Sequence, residues 1–214
     1  MESPEMLRLI LVIAVLAGPL RAGGTAGEFD YYVMALSWSP NWCARTGDDR
    51  DSPQCATGAD FGWVLHGLWP QYARGWPDYC ATTHRAPTPV QTTAQAGLFG
   101  SARSARHQWA KHGVCSGLSA DAYYDLSATA YARVTRPQVF RDLNDPVRLP
   151  ARVVEQAFLR DNPALSADAI TVICRSGGIA EARICLTRDL DFRECGADVR
   201  RDCALDNALL APIR

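Results

Sequence analysis

Two short segments of the chain concentrate side chains that could transfer protons. VLHGLWPQ contains His66, and HQWAKHGVC contains His107 and His112, so three of the four histidines lie in these segments. An imidazole changes charge near neutral pH and can therefore accept or donate a proton during a reaction. A single histidine would more simply be a surface or core residue, but two such clusters indicate an acid–base site.

Lys111 lies inside the second segment and is the only lysine among 22 lysine and arginine residues. An ammonium is a compact point charge, whereas a guanidinium is planar and less strongly hydrated. A chain that uses arginine everywhere else therefore has a position here where the compact charge matters.

The second segment places its polar side chains on one side of a predicted helix. At 100° per residue, Lys111, Gln108 and His112 lie about 40°, 100° and 140° from His107. Trp109 lies on the opposite face and can anchor the helix in the core. This polar face is either ordinary solvated surface or a receptor for a phosphate group.

His66 follows an apolar run and precedes Gly67, which suits a rigidly held residue at the mouth of a cleft. If His66 faces the helix, two imidazoles lie on opposite sides of a bound anion. A neutral imidazole could then take a proton from an attacking hydroxyl while a protonated one gives a proton to the leaving oxygen. Lys111 would stabilise the developing negative charge, so this phosphodiester cleavage would need no metal.

Several segments rich in aromatic and β-branched residues predict strands that could position this site. Residues 29–38 and 61–69 are each predicted to form a strand, and residues 170–175 and 182–190 a β-hairpin around a Gly177–Gly178 turn. The connections at residues 39–55 and 82–95 are polar and contain proline. We expect a surface loop at the first and an irregular excursion at the second.

Three helices are predicted. The first covers residues 104–112 and ends at Gly113. The second is capped by Ser119 and has apolar residues at helical spacing up to Val134. The third begins with Pro150 as its first residue.

Composition indicates one folded domain. The chain has 214 residues, about half of them apolar, with a formal net charge of −1 and a pI near 6.4. Strands and helices alternate without a regular βαβ rhythm, so we expect an α+β fold with a central antiparallel sheet flanked by helices. The near-zero charge excludes tight nucleic-acid binding driven by global charge, and any polyanion must be bound locally.

The N-terminus is typical of an export signal. An apolar run at residues 9–17 follows a short polar region with one cation, is too short to span a bilayer, and precedes small residues. A buried N-terminal helix is the alternative. We expect a signal peptide at residues 1–26, cleaved after Ala22 or Ala26, and a single domain at residues 27–214. That domain would be a secreted or periplasmic monomer without a membrane segment.

Eight cysteines follow the leader, and an even number in an exported chain indicates four disulfides. Spacing alone leaves 105 possible connectivities. A structural zinc site is disfavoured because no cysteine pair has C-x-x-C spacing.

Both histidine segments resemble the signature segments of the ribonuclease T2 family, HGLWP and HEWxKHGxC. The resemblance extends to the first predicted strand and to the cysteine layout, and so covers nearly the whole mature chain. It implies a metal-independent endoribonuclease, without cofactor, that cleaves single-stranded RNA. The ribose 2′-hydroxyl would attack the adjacent phosphate to give a 2′,3′-cyclic phosphate, which DNA cannot do.

The resemblance also implies roles for individual residues. His112 matches the general base, His66 the general acid, and His107 a histidine that helps to hold the phosphate. Lys111 would stabilise the extra charge of the transition state.

Trp69 matches a tryptophan near a base-binding site, although simple core packing is an equal alternative. The same base pocket has three further candidates, each of which could equally be a loop residue without a role there: Gln71, Tyr72 and Trp76.

The chain departs from the family pattern at Gln108, where the family usually has glutamate. Glutamine keeps the size and hydrogen-bonding reach but loses the charge, so we expect an active enzyme, slower and with its pH–rate profile moved to lower pH. An inactive RNA-binding protein on the same fold is the first alternative. A metal-dependent hydrolase is the second, but His107 and His112 are five residues apart and lack the spacing of H-E-x-x-H.

The family also implies the disulfide pairing. We expect Cys80–Cys115 to tie the loop after the first segment to the end of the second. The remaining expected pairs are Cys43–Cys55, Cys174–Cys203 and Cys185–Cys195.

Overall fold

A computed structural model describes residues 23–214 of the chain. The predicted signal peptide, residues 1–26, lies outside these residues apart from its last four. Within residues 23–214, no helix is both long enough and apolar enough to cross a membrane.

Six strands form one sheet with helices around it, which confirms the predicted α+β fold. The strands are β1 (Tyr31–Trp38), β2 (Trp63–Gln71), β3 (Val147–Leu149), β4 (Ile170–Arg175), β5 (Gly178–Leu186) and β6 (Ala208–Leu210). The ladder runs β2-β1-β5-β6-β3, and β4 pairs with β5. All pairs are antiparallel except for one parallel contact between Gly178 and Leu209, so the sheet is mixed at that point.

The hairpin of β4 and β5 turns one residue earlier than predicted. Its turn residues are Ser176 and Gly177, which have φ values of 50° and 76°. Positive φ at both central residues is the conformation that matches the twist of a two-residue hairpin. Gly178 therefore already belongs to β5, and the short strands β3 and β6 were not predicted.

The helices are α1 (Ser39–Trp42), α2 (Pro89–Ala94), α3 (Ala96–Phe99), α4 (Ala102–Lys111), α5 (Ala120–Arg133) and α6 (Ala151–Asp161). Helices α4, α5 and α6 are the three predicted ones. Ser119 caps α5 as predicted, because its hydroxyl accepts a hydrogen bond from the Ala122 backbone at 3.3 Å. Pro150 is the N-cap of α6 rather than its first residue.

Two connections are more ordered than predicted. Helices α2 and α3 lie in and after the supposed irregular segment 82–95, and Thr88 and Gln91 start α2 with a reciprocal capping box. Residues 39–55 contain helical turns instead of a plain surface loop. The Asn41 side chain is buried there and donates hydrogen bonds to the carbonyl oxygens of Ile179 and Leu209, both at 2.8 Å.

The two faces of β1 pack differently. Its even-numbered residues, including Met34 and Leu36, enter the main core, whereas Tyr31 and Val33 join a small cluster around Cys185. The structure contains the four expected disulfides, Cys43–Cys55, Cys80–Cys115, Cys174–Cys203 and Cys185–Cys195. The candidate site lies on the side of the sheet with the smaller cluster, since Trp69 packs against that cluster.

Candidate active site

A β-bulge in β2 positions His66. Strand β1 pairs Ala35 with Gly67 and Leu36 with Leu65, so His66 has no partner in this ladder. A bulge re-aims the side chain of its extra residue, and bulges often occur beside active sites. The His66 side chain is 43% exposed and lines a cleft.

Glu181 on β5 reaches His66 across β1. Its Oε1 lies 2.7 Å from His66 Nδ1. Ser37 of β1 pairs with Glu181 on one side and with Val64 on the other, and this small side chain leaves room for the carboxylate. The other carboxylate oxygen accepts hydrogen bonds from Arg183, at 2.9 Å from Nε and 2.7 Å from Nη2.

The Glu181 carboxylate is buried but remains charged. Burial raises the pKa of this carboxyl, but the contacts with His66 and Arg183 outweigh it and lower the pKa to about 2. Arg183 thus holds the Glu181 carboxylate in place, and that carboxylate keeps its negative charge against one nitrogen of His66 near neutral pH.

Helix α4 carries the other predicted site residues. Ser101 caps it by accepting a hydrogen bond from the Ser104 backbone at 3.1 Å. The Tyr124 hydroxyl of α5 donates to the Ala105 carbonyl oxygen at 3.0 Å. Trp109 is buried in the main core, as the predicted helix orientation required, and Gln108 is buried on the side of the site.

His112 follows the last residue of α4 and is only 7% exposed. Its Nδ1 is buried and has no hydrogen-bond partner within residues 23–214. Burial, together with the nearby Lys111 and the other two histidines of the site, lowers the pKa of His112 from 6.5 to about 3. The charged form carries a hydrogen on both ring nitrogens, so it would leave an Nδ1–H group without an acceptor. His112 is therefore neutral at physiological pH.

Trp69 lies close to both His66 and His112. Its ring centroid lies 5.2 Å from that of His66 and 5.3 Å from that of His112. Its Nε1 donates a hydrogen bond to Gln108 Oε1 at 2.8 Å. Gly67 makes this contact possible, because a Cβ atom there would lie 2.2 Å from both bonded atoms. The first segment therefore needs glycine beside its histidine for a steric reason.

His107 and Lys111 lie one helical turn apart on the outer side of α4. Partial burial, and then the charges of Lys111, His66 and Arg103, lower the pKa of His107. The Lys111 carbonyl accepts a hydrogen bond from the Tyr79 backbone at 2.8 Å, and the Cys80–Cys115 disulfide lies beside it. The loop after β2 is thus fixed to the end of α4, and the structure brings all five predicted catalytic residues to one site.

A cleft of about 560 Å³ opens beside this site. His66, His107 and Gln108 line one end of it, and Trp42 and Phe99 line its apolar part. This volume is in the range of small-molecule pockets.

The predicted base-pocket residues do not line this cleft. Gln71 is buried, and its amide donates to the Pro70 carbonyl oxygen at 2.8 Å. Tyr72 is half-buried against the core, and Trp76 is 57% exposed on the loop that follows β2. Among the described residues, Trp69 is the one predicted base-pocket residue whose ring pairs with the rings of His66 and His112.

Glu181 and Arg183 were missed by the sequence analysis. Both lie in β5, within the otherwise apolar run GIAEARICL. Two opposite charges at alternate positions of a strand point to the same face. That pattern in a buried strand could have identified Glu181 and Arg183 as site residues, but it does not predict which histidine the carboxylate contacts.

One group of described residues has three potential metal-ligand atoms close together, namely Cys43, Asp48 and Cys55. Its two cysteines are joined in a disulfide. The histidines of the candidate site do not belong to it.

Comparison with known proteins identifies the family to which the chain belongs. Residues 29–195 match the model of the Ribonuclease T2 family. A ribonuclease of Aeromonas hydrophila is 45% identical over 128 residues, which cover 58% of this chain and 57% of that protein. Ribonuclease I of Escherichia coli (strain K12) is 26% identical over 191 residues, which cover 70% of this chain and 71% of that protein. The chain thus spans less than two thirds of the first of these relatives.

Solved structures show the same fold. Trichomaglin, described as an S-like ribonuclease, superposes with a TM-score of 0.68 at 18% identity, covering 87% of this chain and 100% of that one. An RNase-related protein from Calystegia sepium gives a TM-score of 0.67 at 18% identity, covering 86% of this chain and 98% of that one. Because the family model matches most of its length, the chain belongs to the ribonuclease T2 family.

Proposed function

We propose that this protein is a metal-independent endoribonuclease that cleaves single-stranded RNA by transphosphorylation. The ribose O2′ forms a bond to the adjacent phosphorus and the bond from phosphorus to O5′ breaks. The products are a 2′,3′-cyclic phosphate and a 5′-hydroxyl. The observation that supports this most strongly is the pair of histidines close to Trp69, one neutral and one paired with a carboxylate.

His112 is the proposed general base. A base must be unprotonated before the reaction, and burial keeps His112 neutral. It would take the proton of the 2′-hydroxyl. An approaching phosphate adds negative charge next to the ring, which favours the charged imidazole that forms during this step.

His66 is the proposed general acid, which gives its proton to O5′ as that oxygen leaves. The buried carboxylate of Glu181 next to Nδ1 stabilises a protonated imidazole. It also orients the ring, so that the other nitrogen, Nε2, is available to the leaving oxygen. Glu181 is thus a positioning residue that acts through His66.

Lys111, His107 and Gln108 form the proposed phosphate site. The Lys111 ammonium would bind a non-bridging oxygen, and the charge it stabilises grows in the transition state. Gln108 uses its oxygen to accept from Trp69, which leaves its amide nitrogen free to donate to phosphate. A glutamate could hold Trp69 in the same way but could not make this donation unless protonated.

The leaving nucleotide would occupy the cleft beside His66, since the acid must reach O5′. The nucleotide that becomes the cyclic phosphate would then lie on the Trp69 and His112 side. Trp76 is an exposed aromatic ring on the loop after β2 and could stack on its base, whereas Gln71 and Tyr72 would support the loop.

Export is part of the proposal. Four disulfides within one chain suit an oxidising compartment, which agrees with the predicted signal peptide at residues 1–26 and a secreted or periplasmic monomer.

The experiment uses the purified, oxidised protein on short single-stranded RNA in excess EDTA, with product ends read by mass spectrometry. We expect cyclic-phosphate ends, and no cleavage of DNA of the same sequence. A requirement for a divalent metal, or products that lack the cyclic phosphate, would contradict the proposal.

A second candidate is an RNA-binding protein that does not cleave. Its support is Gln108, which replaces the usual acidic residue of the motif. RNA that is bound but stays intact at every pH would favour it, provided that Gln108→Glu then restores cleavage.

A further inference from the structure

The charge of the cleft differs from that of the whole protein. The chain has 23 acidic and 22 basic residues. Yet every ionisable side chain that lines the cleft is an arginine or a histidine: Arg50, Arg103, His66 and His107. No acidic side chain of the described residues lines it. A cleft with charge of only one sign attracts an anion and concentrates it.

Arg103 extends the phosphate site along α4. Arg103, His107 and Lys111 are four residues apart in turn, so they form one stripe on the helix with a rise of about 6 Å per step. Lys111 is at the proposed reaction centre, and Arg103 is two turns away from it, beside the cleft. A stripe of this kind can follow the backbone of a nucleic acid strand.

Arg50 approaches the same cleft from the segment between β1 and β2. The Cys43–Cys55 disulfide encloses this segment and fixes it. Asp48, Asp49 and Asp51 surround Arg50 in sequence, but none of them lines the cleft, and Asp48 is bound to Arg214. Within residues 23–214, neither Arg50 nor Arg103 forms an ion pair. Two unpaired guanidinium groups on different elements therefore line one cleft.

We propose that Arg50 and Arg103 form a second phosphate site, which binds the phosphate on the 3′ side of the leaving nucleotide. This inference rests on the proposed function, because the cleft holds the leaving nucleotide only if His66 is the acid. Guanidinium groups bind phosphate through paired N–H donors. The site makes the enzyme prefer RNA that continues beyond the cleaved bond over a dinucleotide.

Two substrates that differ by one phosphate test this. The first is a dinucleoside monophosphate, NpN, of a sequence that the wild type cleaves. The second is NpNp, the same compound with a 3′-phosphate. For the wild type at low salt, we expect the added phosphate to raise kcat/KM about tenfold, as for a hydrogen bond to a charged group. In an Arg50→Ala/Arg103→Ala double variant, the gain should fall below about twofold.

Control variants separate this site from general charge effects. Arg106→Ala removes an exposed arginine of the same helix that does not line the cleft, so the gain from the added phosphate should persist. Arg103→Lys keeps the charge but loses the paired donors, so it should keep only part of the gain. The salt dependence of log kcat/KM for NpNp should become shallower by roughly 0.7 in the double variant, as expected for one lost phosphate contact to a single strand.

An equal gain in the wild type and in the double variant would overturn the second phosphate site, as would the absence of any gain in the wild type. Failure of the wild type to cleave any NpN or longer RNA would overturn the proposed function itself. The two failures are therefore distinguishable.

Discussion

His66 and His112 carry the same side chain in opposite surroundings. His66 lies on a strand bulge, is 43% exposed, and has a buried carboxylate at Nδ1. His112 lies at a helix end, is 7% exposed, and has no partner for Nδ1 among the described residues. His66 thus faces a buried negative charge, whereas burial lowers the pKa of His112.

This contrast supports the proposed acid and base roles independently of sequence order. Two groups of one chemical type can perform opposite steps when the protein pushes their protonation in opposite directions. The Trp69 ring centroid lies 5.2 Å from that of His66 and 5.3 Å from that of His112, so a shift of Trp69 would disturb both. The following changes test each side of the contrast, beginning with the one that should disturb both.

Among substitutions outside the two histidines, Gly67→Ala should have the largest effect. The added Cβ would meet Gln108 Oε1 and Trp69 Nε1 at 2.2 Å, so Trp69 must move and both histidines lose their spacing. We expect kcat/KM for RNA to fall by roughly 100-fold, as for a misplacement of about 1 Å at a catalytic centre. Gly97→Ala is the matched control, since nothing lies within 4 Å of a Cβ at that position. Equal activity of the two variants would refute the idea that the position of Trp69 matters for catalysis.

Glu181→Gln affects only the His66 side. It keeps the shape but removes the negative charge that favours protonated His66. We expect kcat/KM to fall by about tenfold or more, with the alkaline limb of the pH–rate profile at lower pH. Because the pKa of Glu181 is about 2, its charge is present over the whole working range, and the loss in the variant should grow as the pH rises through the alkaline limb.

A purely structural role of Glu181 would lower the rate without moving the alkaline limb. Glu181→Asp keeps the negative charge, so it should move the alkaline limb less than Glu181→Gln does. Glu155→Gln, in a half-buried carboxylate on α6, should leave the profile unchanged.

His112→Asn isolates the energetic cost of protonating the buried imidazole. The pKa of His112 is about 3 in the folded protein and 6.5 ordinarily, so the unfolded chain takes up the proton first. Stability from this residue is fully present above pH 6.5 and is lost as the pH falls towards 3. Between pH 6.5 and 4.5, wild-type protein should lose roughly 2 kcal/mol more unfolding free energy than the variant.

Chemical denaturation at the two pH values measures this difference. Glu181 does not interfere, because its ordinary pKa is 4.5 and its contribution is lost only below that value. Parallel losses in both proteins would show that His112 is protonated in the folded state.

Gln108→Glu should have the smallest effect on rate but a clear one on pH. A carboxylate can still accept from Trp69, so the geometry is kept. Its negative charge near His112 and His107 should move the acid limb of the kcat/KM profile to higher pH by about one unit. The rate at the optimum should change only a few-fold. Gln138→Glu, at an exposed position far along the chain, serves as the control. An unmoved acid limb would contradict this account of Gln108.

The two histidine segments could be recognised from sequence because each is local. Trp109 and Gln108 took their predicted sides of α4, since a helix fixes the direction of neighbouring side chains. The bulge at His66 and the contact with Glu181 could not be predicted. Glu181 is 115 residues away in the chain, and pairing between distant strands decides that contact. The helix at Pro89–Ala94 was missed although Thr88 and Gln91 have capping-box spacing, because its proline content suggested irregular structure.

The most direct test of the acid and base assignment uses a substrate whose leaving group needs no proton. In a nucleoside 3′-(p-nitrophenyl phosphate), the 2′-hydroxyl must still lose its proton, but the nitrophenolate leaves unprotonated. His66→Ala and His112→Ala should each lower kcat/KM for RNA by about 100- to 10,000-fold. On the aryl ester, His66→Ala should recover to within about tenfold of wild type while His112→Ala stays impaired. Recovery of His112→Ala instead, or of neither variant, would contradict the assignment.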